Sequence, residues 1–253
     1  MTRMDVIVNA DDLGMSAQVN DAIFQLIAAG RISSATILAN GPAMREAAAQ
    51  LHRFPQCSFG IHLNLTQFQP LTGGATASVL TNGTGELSRD IETAFPTMAL
   101  LRAAYKECCA QVDALAAAGV NISHFDSHNH VHTRPHIFPV LKAVQKRYRT
   151  RRVRIAKNLY SSTQPASASL RWKKRAYNAA LRSLYHTQTT DVFTEFLTFV
   201  EVWQQRKPEC RSVELMVHPG ASYASEEESL LGSDWVGRLG PAVRLIDYRQ
   251  IGS

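Results

Sequence analysis

Short apolar runs rich in β-branched residues alternate with amphipathic segments along most of the chain. The runs typical of buried strands are residues 6–10, 35–39, 58–65, 121–125, 152–156, 190–193, 213–217 and 243–247. The segments with helical spacing are residues 16–29, 43–52, 96–118, 135–148, 169–185 and 195–205. Ser16 is placed to be the N-cap of the first helix. Residues 67–87 are rich in Gly, Thr and Pro, which predicts a long loop.

Strand and helix segments that alternate in this way predict parallel βαβ units. Seven or eight such units over 253 residues fit a single distorted, incomplete TIM-like (β/α) barrel of about seven parallel strands. A doubly wound open sheet is the alternative arrangement. Because there is no linker and no internal repeat, we expect one domain that covers residues 1–253.

The composition excludes several classes of protein. The amino-terminal residues lack the apolar core of a secretory signal, and no apolar run is long enough to span a bilayer. The four cysteines form no Cys-x-x-Cys pair, which argues against a zinc site built on cysteine. We therefore expect reduced thiols and a cytoplasmic location.

The net charge of +6 is unevenly distributed. Residues 127–190 contain no Asp or Glu but carry 14 of the 27 Lys and Arg residues, which we call the basic 134–182 span. Such a span attracts phosphate, anionic lipid or nucleic acid, although a solvated face or a subunit contact would explain it equally well. No nucleic-acid-binding fold motif accompanies it. A homodimer, which is common among enzymes of this size, stays open.

Four of the nine histidines lie close together between residues 123 and 132, beside Asp126. On an extended backbone, Asp126, His128, His130 and His132 would all point to one side. On a helical backbone, His128 and His132 would share a face instead. Because imidazole is the commonest neutral ligand for transition metals, either backbone predicts a metal site, with Asp126 as a partner that orients a ligand.

Further acids and imidazoles follow other predicted strands at the point where each strand ends. Asp11 and Asp12 follow the first strand, His62 ends the third, and His218 follows the seventh. The carboxyl ends of parallel barrel strands open onto one face, so these side chains should converge there with the histidine cluster. A mixed oxygen and nitrogen set suits Zn²⁺, with Mg²⁺, Mn²⁺ and Ni²⁺ as alternatives.

The adjacent acids Asp11 and Asp12 should have separate roles. Two neighbouring carboxylates on an extended backbone point apart, so one can bind a metal while the other takes a proton. The plain alternative is a turn before a helix N-terminus, where acids are favourable.

The chain contains four motifs: Val-Asn-Ala-Asp-Asp-Leu-Gly at residues 8–14, Gly-Ile-His-Leu at 60–63, His-Phe-Asp-Ser-His-Asn-His-Val-His at 124–132 and Val-His-Pro-Gly at 217–220. Together they resemble the YdjC-like carbohydrate deacetylases, a group that includes the chitooligosaccharide deacetylases and the hopanoid-associated HpnK branch. The family pattern usually has Phe where this chain has Leu13. Residues 150–190 carry no matching motif, which leaves substrate choice open.

The resemblance implies removal of an acetyl group from an N-acetylated sugar within a distorted TIM-like barrel. By motif position it makes Asp12, His62 and His128 the metal ligands, Asp11 the general base and His218 the general acid. His132 would replace His128 as a ligand if the loop were helical. The resemblance therefore predicts Mg²⁺ or Zn²⁺ as cofactor, with Mn²⁺ or Ni²⁺ as alternatives.

Two other functions stay open from the residues alone. The basic 134–182 span favours either a metallohydrolase that acts on a phosphoester or another amide, or a protein that binds anionic surfaces without catalysis. A mixed interpretation places an anionic or lipid-linked sugar substrate near the same span.

Overall fold

A single parallel sheet, curled into an incomplete barrel and surrounded by helices, forms the centre of the molecule. The structure, a computed structural model, describes residues 3–240 and 243–252; residues 1, 2, 241, 242 and 253 of the predicted domain lie outside the described residues. The strands are β1 (Met4–Leu13), β2 (Ser34–Ile37), β3 (Ser58–Leu63), β4 (Phe125–Ser127), β5 (Val192–Glu195), β6 (Ser212–Val217) and β7 (Val243–Leu245).

The strand order is β4-β3-β2-β1-β6-β5, and β7 pairs with the beginning of β1. The gap between β4 and β5 is bridged by isolated parallel pairs, Phe125 with Val153 and Arg152 with Gln188. Around this ring the strands follow one another in sequence order, as in a barrel. The predicted incomplete TIM-like barrel is confirmed, and the doubly wound alternative is wrong.

The helices cover the outside of the sheet. Within the described residues they are α1 (Ala17–Ala28), α2 (Met44–Gln50), α3 (Gly74–Leu80), α4 (Met98–Ala117), α5 (Phe138–Tyr148), α6 (Ala168–Ser183), α7 (Phe196–Gln205), α8 (Ser225–Gly232) and α9 (Trp235–Leu239). Short 3-10 turns cover Leu51–Arg53, Arg89–Glu92, His128–Thr133 and Tyr248–Gln250. Ser16 caps α1 as predicted, because its hydroxyl accepts a hydrogen bond from the Val19 amide at 3.2 Å.

Two expectations about individual elements are wrong, and two helices were not predicted. Residues 152–156 form only isolated bridges, because the adjacent residues Arg152 and Val153 pair with different segments, Gln188 and Phe125. Residues 67–87 are not a plain loop, since they contain α3. The buried Glu107 of α4 anchors this region by accepting hydrogen bonds from the amides of Leu71 (3.0 Å) and Thr72 (2.9 Å). α8 and α9 were not expected, because their sequences have little helical periodicity.

The barrel interior is polar at the carboxyl ends of the strands and is closed by aromatic rings below. Tyr248 enters from the opposite end and stacks on His124, with ring centroids 3.6 Å apart. Gly60 makes room for this stack, because a Cβ at residue 60 would lie 2.5 Å from the His124 ring. The C-terminal segment therefore forms a floor beneath the polar interior.

Two predictions from composition can be compared with the structure. Cys57, Cys108, Cys109 and Cys210 are all free thiols, as expected. In residues 3–240 and 243–252, no helix is both long enough and apolar enough to cross a membrane.

Candidate metal centre

Both acids at the end of β1 reach the same imidazole. The register of β1 against β2 shifts between Ala10 and Leu13, and Asp12 has φ +66°, a left-handed conformation that Asp tolerates better than most residues. As a result, Asp11 Oδ2 and Asp12 Oδ1 lie 3.9 and 3.3 Å from His62 Nε2. The expectation that the two carboxylates point apart is wrong, because the backbone is not extended at Asp12.

The histidine segment is neither a strand nor a regular helix, so neither of the two predicted backbones is correct. β4 ends at Ser127, and Asn129 and His130 then both adopt left-handed conformations, with φ near +50°. This kink turns His128 towards β1, where its Nδ1 lies 2.8 Å from Asp12 Oδ1. The other ring nitrogen of His128 lies 2.8 Å from Gln67 Oε1.

Asp12, His62 and His128 form a cluster of potential metal ligands. Their donor atoms all lie within 4.8 Å of one another. The side chains of Asp12 and His128 are 13 and 12% exposed, whereas that of His62 is 2% exposed. The cluster is therefore buried on the barrel side and accessible from the cavity side.

Asp126 fixes the orientation of the His62 ring. His62 Nδ1 donates to Asp126 Oδ1 at 2.7 Å, and the Thr36 hydroxyl donates to Asp126 Oδ2 at 3.0 Å. Burial lowers the pKa of His62, but Asp126 and Asp11 outweigh it and raise that pKa to about 10. The same carboxylates that favour a proton on Nε2 would also favour a cation at this nitrogen.

Arg154 organises the carboxylates beneath the cluster. Its guanidinium donates to both oxygens of Asp11, at 2.6 Å each, and also lies 2.9 Å from Asp126 Oδ2 and 2.7 Å from Glu214 Oε1. Burial raises the pKa of Asp11, but the charges of Arg154 and then His62 hold that pKa well below its ordinary value. Asp11 is therefore a fixed, ionised carboxylate beside the cluster.

A second trio with metal-ligating side chains, Asp11, His62 and Asp126, is fully buried. The guanidinium of Arg154 already bonds both of its carboxylates. A divalent ion there would have to displace a buried charge that three carboxylates hold. The trio of Asp12, His62 and His128 is therefore the better candidate.

The remaining histidines of the segment do not face Asp12. His132 is buried, with Nδ1 2.5 Å from Ser127 Oγ and Nε2 3.2 Å from the Arg154 carbonyl. His130 packs edge-on against Phe193, and burial followed by the charge of Arg154 lowers its pKa to about 3. The geometry thus places His128, and not His132, against Asp12.

Two further histidines, His124 and His136, make structural contacts. His124 Nε2 lies 3.2 Å from Asn9 Oδ1 beneath the cluster. His136 Nε2 donates to the Ile91 carbonyl at 2.8 Å, away from the cluster.

His218 follows β6 and shares a divided cavity with the cluster. Two adjoining lobes of about 420 and 440 Å³ are both lined by Asp11, Asp12, His128, His218 and Tyr223. Tyr223 packs against His218, and 73% of its surface is exposed. The structure thus brings all five predicted site residues to one cavity. A larger cavity of about 810 Å³, lined by residues such as Ser58, Ser123 and Arg249, contains none of them.

Three contributors to this site were missed from the sequence. Arg154 was counted within the basic 134–182 span, although its position in a predicted strand was a sign that it could face the interior. Tyr223 and Gln67 lie in loops with no motif, so nothing in the pattern singled them out.

A family model described as YdjC-like protein matches residues 5–239 of this chain. Among curated proteins, the chain is 40% identical over 147 residues to a carbohydrate deacetylase of Geobacillus stearothermophilus, a match that covers 56% of each chain. It is 35% identical over 146 residues to a carbohydrate deacetylase of Vibrio campbellii, covering 58% of this chain and 57% of that protein. The chain therefore matches a little over half the length of these relatives.

One solved structure has the same fold over nearly the whole chain. It is a protein of Enterococcus faecalis V583 described provisionally as a cellobiose-phosphate cleavage protein. The TM-score is 0.78 at 22% sequence identity, and the match covers 98% of both chains. At this identity the likeness concerns the fold alone.

Proposed function

The chain belongs to the YdjC-like family, and on that premise we propose that it is a metal-dependent hydrolase that removes an acetyl group from an N-acetylated amino sugar or oligosaccharide. The observation that carries the proposal is the meeting of Asp12, His62 and His128 at a cavity, with Asp11 beside them. The names of the two curated relatives support the same reaction class.

The described residues fit a divalent ion held by Asp12, His62 and His128. One carboxylate and two imidazoles are a common catalytic zinc set, and the hydrogen bond from His62 to Asp126 is the support that such a ligand usually has. The two nitrogen donors favour Zn²⁺ over Mg²⁺, which prefers oxygen, while Mn²⁺ and Ni²⁺ accept both donor types.

Asp11 is proposed to accept a proton from the attacking water. Arg154 holds the Asp11 carboxylate ionised and oriented, but a low pKa also makes Asp11 a weak base. A divalent ion at the neighbouring ligands would lower the pKa of water towards about 7, which is the help that such a weak base requires.

His218 is proposed to protonate the departing amine. Its side chain lines the same cavity as Asp11, and imidazole is the usual side chain for delivering a proton near neutral pH. Tyr223, beside His218, offers an exposed aromatic face on which a sugar ring could stack.

The proposal is tested by comparing His128→Ala with Asp11→Asn. We expect His128→Ala to lose both bound metal and acetate release from N-acetylated oligosaccharides, because it removes one ligand. Asp11→Asn should keep the metal and lose turnover. His52→Ala on the surface is the control and should behave like the wild type. Full activity of metal-stripped protein would refute the proposal.

A phosphoester substrate is a second candidate, favoured by the cations Arg89, Arg134 and Lys174 that line the lobe containing His62. Arg89 and Arg134 both pair with Glu92, so their charges are partly compensated. Screening acetylated amino sugars against phosphoesters, with acetate and phosphate release as readouts, separates the two candidates.

We also propose a cytoplasmic location, because the four cysteines are free thiols, as is usual in reducing compartments. A homodimer remains a proposal that sedimentation would test.

A further inference from the structure

A second, strongly basic pocket lies between α6 and residues 157–160. Its volume is about 330 Å³. Five of the residues that line it are cationic: Lys157, Arg171, Lys174, Arg175 and Arg182. The catalytic roles proposed above use none of these five.

Three of these cations form no ion pair with any residue in the described ranges 3–240 and 243–252. Lys157 pairs with Glu195, and Arg182 donates to the Thr189 hydroxyl (2.8 Å) and the Thr190 carbonyl (3.0 Å). Among the described residues, no carboxylate lies within 4.0 Å of Arg171, Lys174 or Arg175. The surrounding residues 127–190 contain no acid to supply one. Glu195, which pairs with Lys157, also attracts Lys174, so one nearby carboxylate faces five cations and the pocket keeps a net positive charge.

Tyr160 holds several of these charges around one ring. Lys157, Arg171 and Lys174 each lie 5.4 Å from the centroid of the Tyr160 ring. The negative face of the ring attracts each cation, but the cations repel one another. An anion bound between them would remove that repulsion.

The pocket wall is fixed to the barrel. Asn178 of α6 accepts a hydrogen bond from the Ala156 amide (2.9 Å) and donates one to the Ala156 carbonyl (3.0 Å). The Tyr177 hydroxyl donates to the His132 carbonyl at 2.6 Å. These anchors fix α6 to the backbone at residues 132 and 156, so its cations are carried by a helix in a defined position.

The pocket adjoins the cavity of the candidate metal centre. Lys174 lines both the basic pocket and the lobe that contains Asp12 and His62. A ligand in the pocket would therefore lie within reach of a molecule bound at the metal centre.

We propose that this pocket is a phosphate-binding site. Three cations without an ion-pair partner among the described residues match a phosphate dianion better than a single carboxylate, and arginine forks suit the tetrahedral oxygens of phosphate. The phosphate is either free or carried by the acetylated sugar. The second source rests on the proposed deacetylase function, whereas the binding site itself does not.

The test uses Arg171→Ala/Arg175→Ala, which removes two exposed cations spaced four residues apart on α6. The matched control is Arg102→Ala/Lys106→Ala, which removes two cations with the same four-residue spacing from the exposed face of α4. Calorimetric titration with inorganic phosphate should show binding to the wild type and the control, weakened by at least about tenfold in the α6 variant. Equal phosphate affinity in both variants, or no phosphate binding by the wild type, would overturn the proposal.

The source of the phosphate is decided by acetate release from an N-acetylated amino sugar with and without a phosphate ester. If the substrate carries the phosphate, kcat/KM for the phosphorylated sugar relative to the plain sugar should fall about tenfold in the α6 variant only. If free phosphate is the ligand, that ratio should equal the wild-type ratio while phosphate binding is lost. Phosphate binding without any acetate release would refute the proposed function and leave the site standing.

Discussion

Asp126→Asn should weaken metal binding, although Asp126 is not one of the proposed metal ligands. The carboxylate of Asp126 accepts the Nδ1 proton of His62 at 2.7 Å and lies 2.9 Å from Arg154. Asn keeps the size and one acceptor oxygen but removes the charge that polarises the imidazole. Loss of such a supporting partner usually weakens metal affinity about 10–100-fold, which corresponds to about 1.4–2.8 kcal/mol.

The assay is competition for Zn²⁺ between the protein and a chromophoric chelator at pH 7. Glu107→Gln is the matched control, because Glu107 is an equally buried carboxylate that bonds the amides of residues 71 and 72 and none of the proposed ligands. Both variants should unfold more easily than the wild type, but only Asp126→Asn should release zinc more readily. A folded Asp126→Asn protein with wild-type zinc affinity would refute the orienting role.

Three further predictions concern other parts of the site and fold. Asp11→Asn should lower kcat by at least about 100-fold at unchanged metal content, because it removes the proposed proton acceptor; a normal kcat would exclude that role. Tyr223→Ala should raise KM for an oligosaccharide roughly threefold to tenfold through lost ring stacking, and Tyr223→Phe should restore it. Gly60→Ala should lower the free energy of unfolding in urea by about 1–3 kcal/mol, because its Cβ would meet His124. The control Gly83→Ala, with open space around it, should cost much less.

Much of the architecture was predictable because it depends on repeated local patterns. The β-branched run before Asp11 forms a strand and the segment after Ser16 forms a capped helix, so local sequence preference matches the final fold in both. Short segments of these two kinds repeat around the barrel. Once the strands are parallel, their carboxyl ends share one face. The convergence of Asp12, His62 and His128 follows from that topology.

The rest depended on conformations and contacts that periodicity does not encode. Left-handed backbone conformations at Asp12, Asn129 and His130 decide which histidine contacts which acid. The sequence pattern gives no sign of these conformations, because each residue fits a predicted strand or helix. Arg154 has the charge of a surface residue, and only the three carboxylates around it explain its burial. These carboxylates come from β1, β4 and β6, so no local window contains them.

The floor of the barrel also has a consequence for biosynthesis. The Tyr248 hydroxyl donates to Glu214, which in turn holds the guanidinium that positions Asp11. A nascent chain that still lacks residue 248 would contain every proposed ligand, but Glu214, and through it Arg154, would lack the hydrogen bond from Tyr248 that closes the barrel beneath them. Assembly of the proposed metal centre should therefore wait until residue 248 has left the ribosome and inserted beneath it.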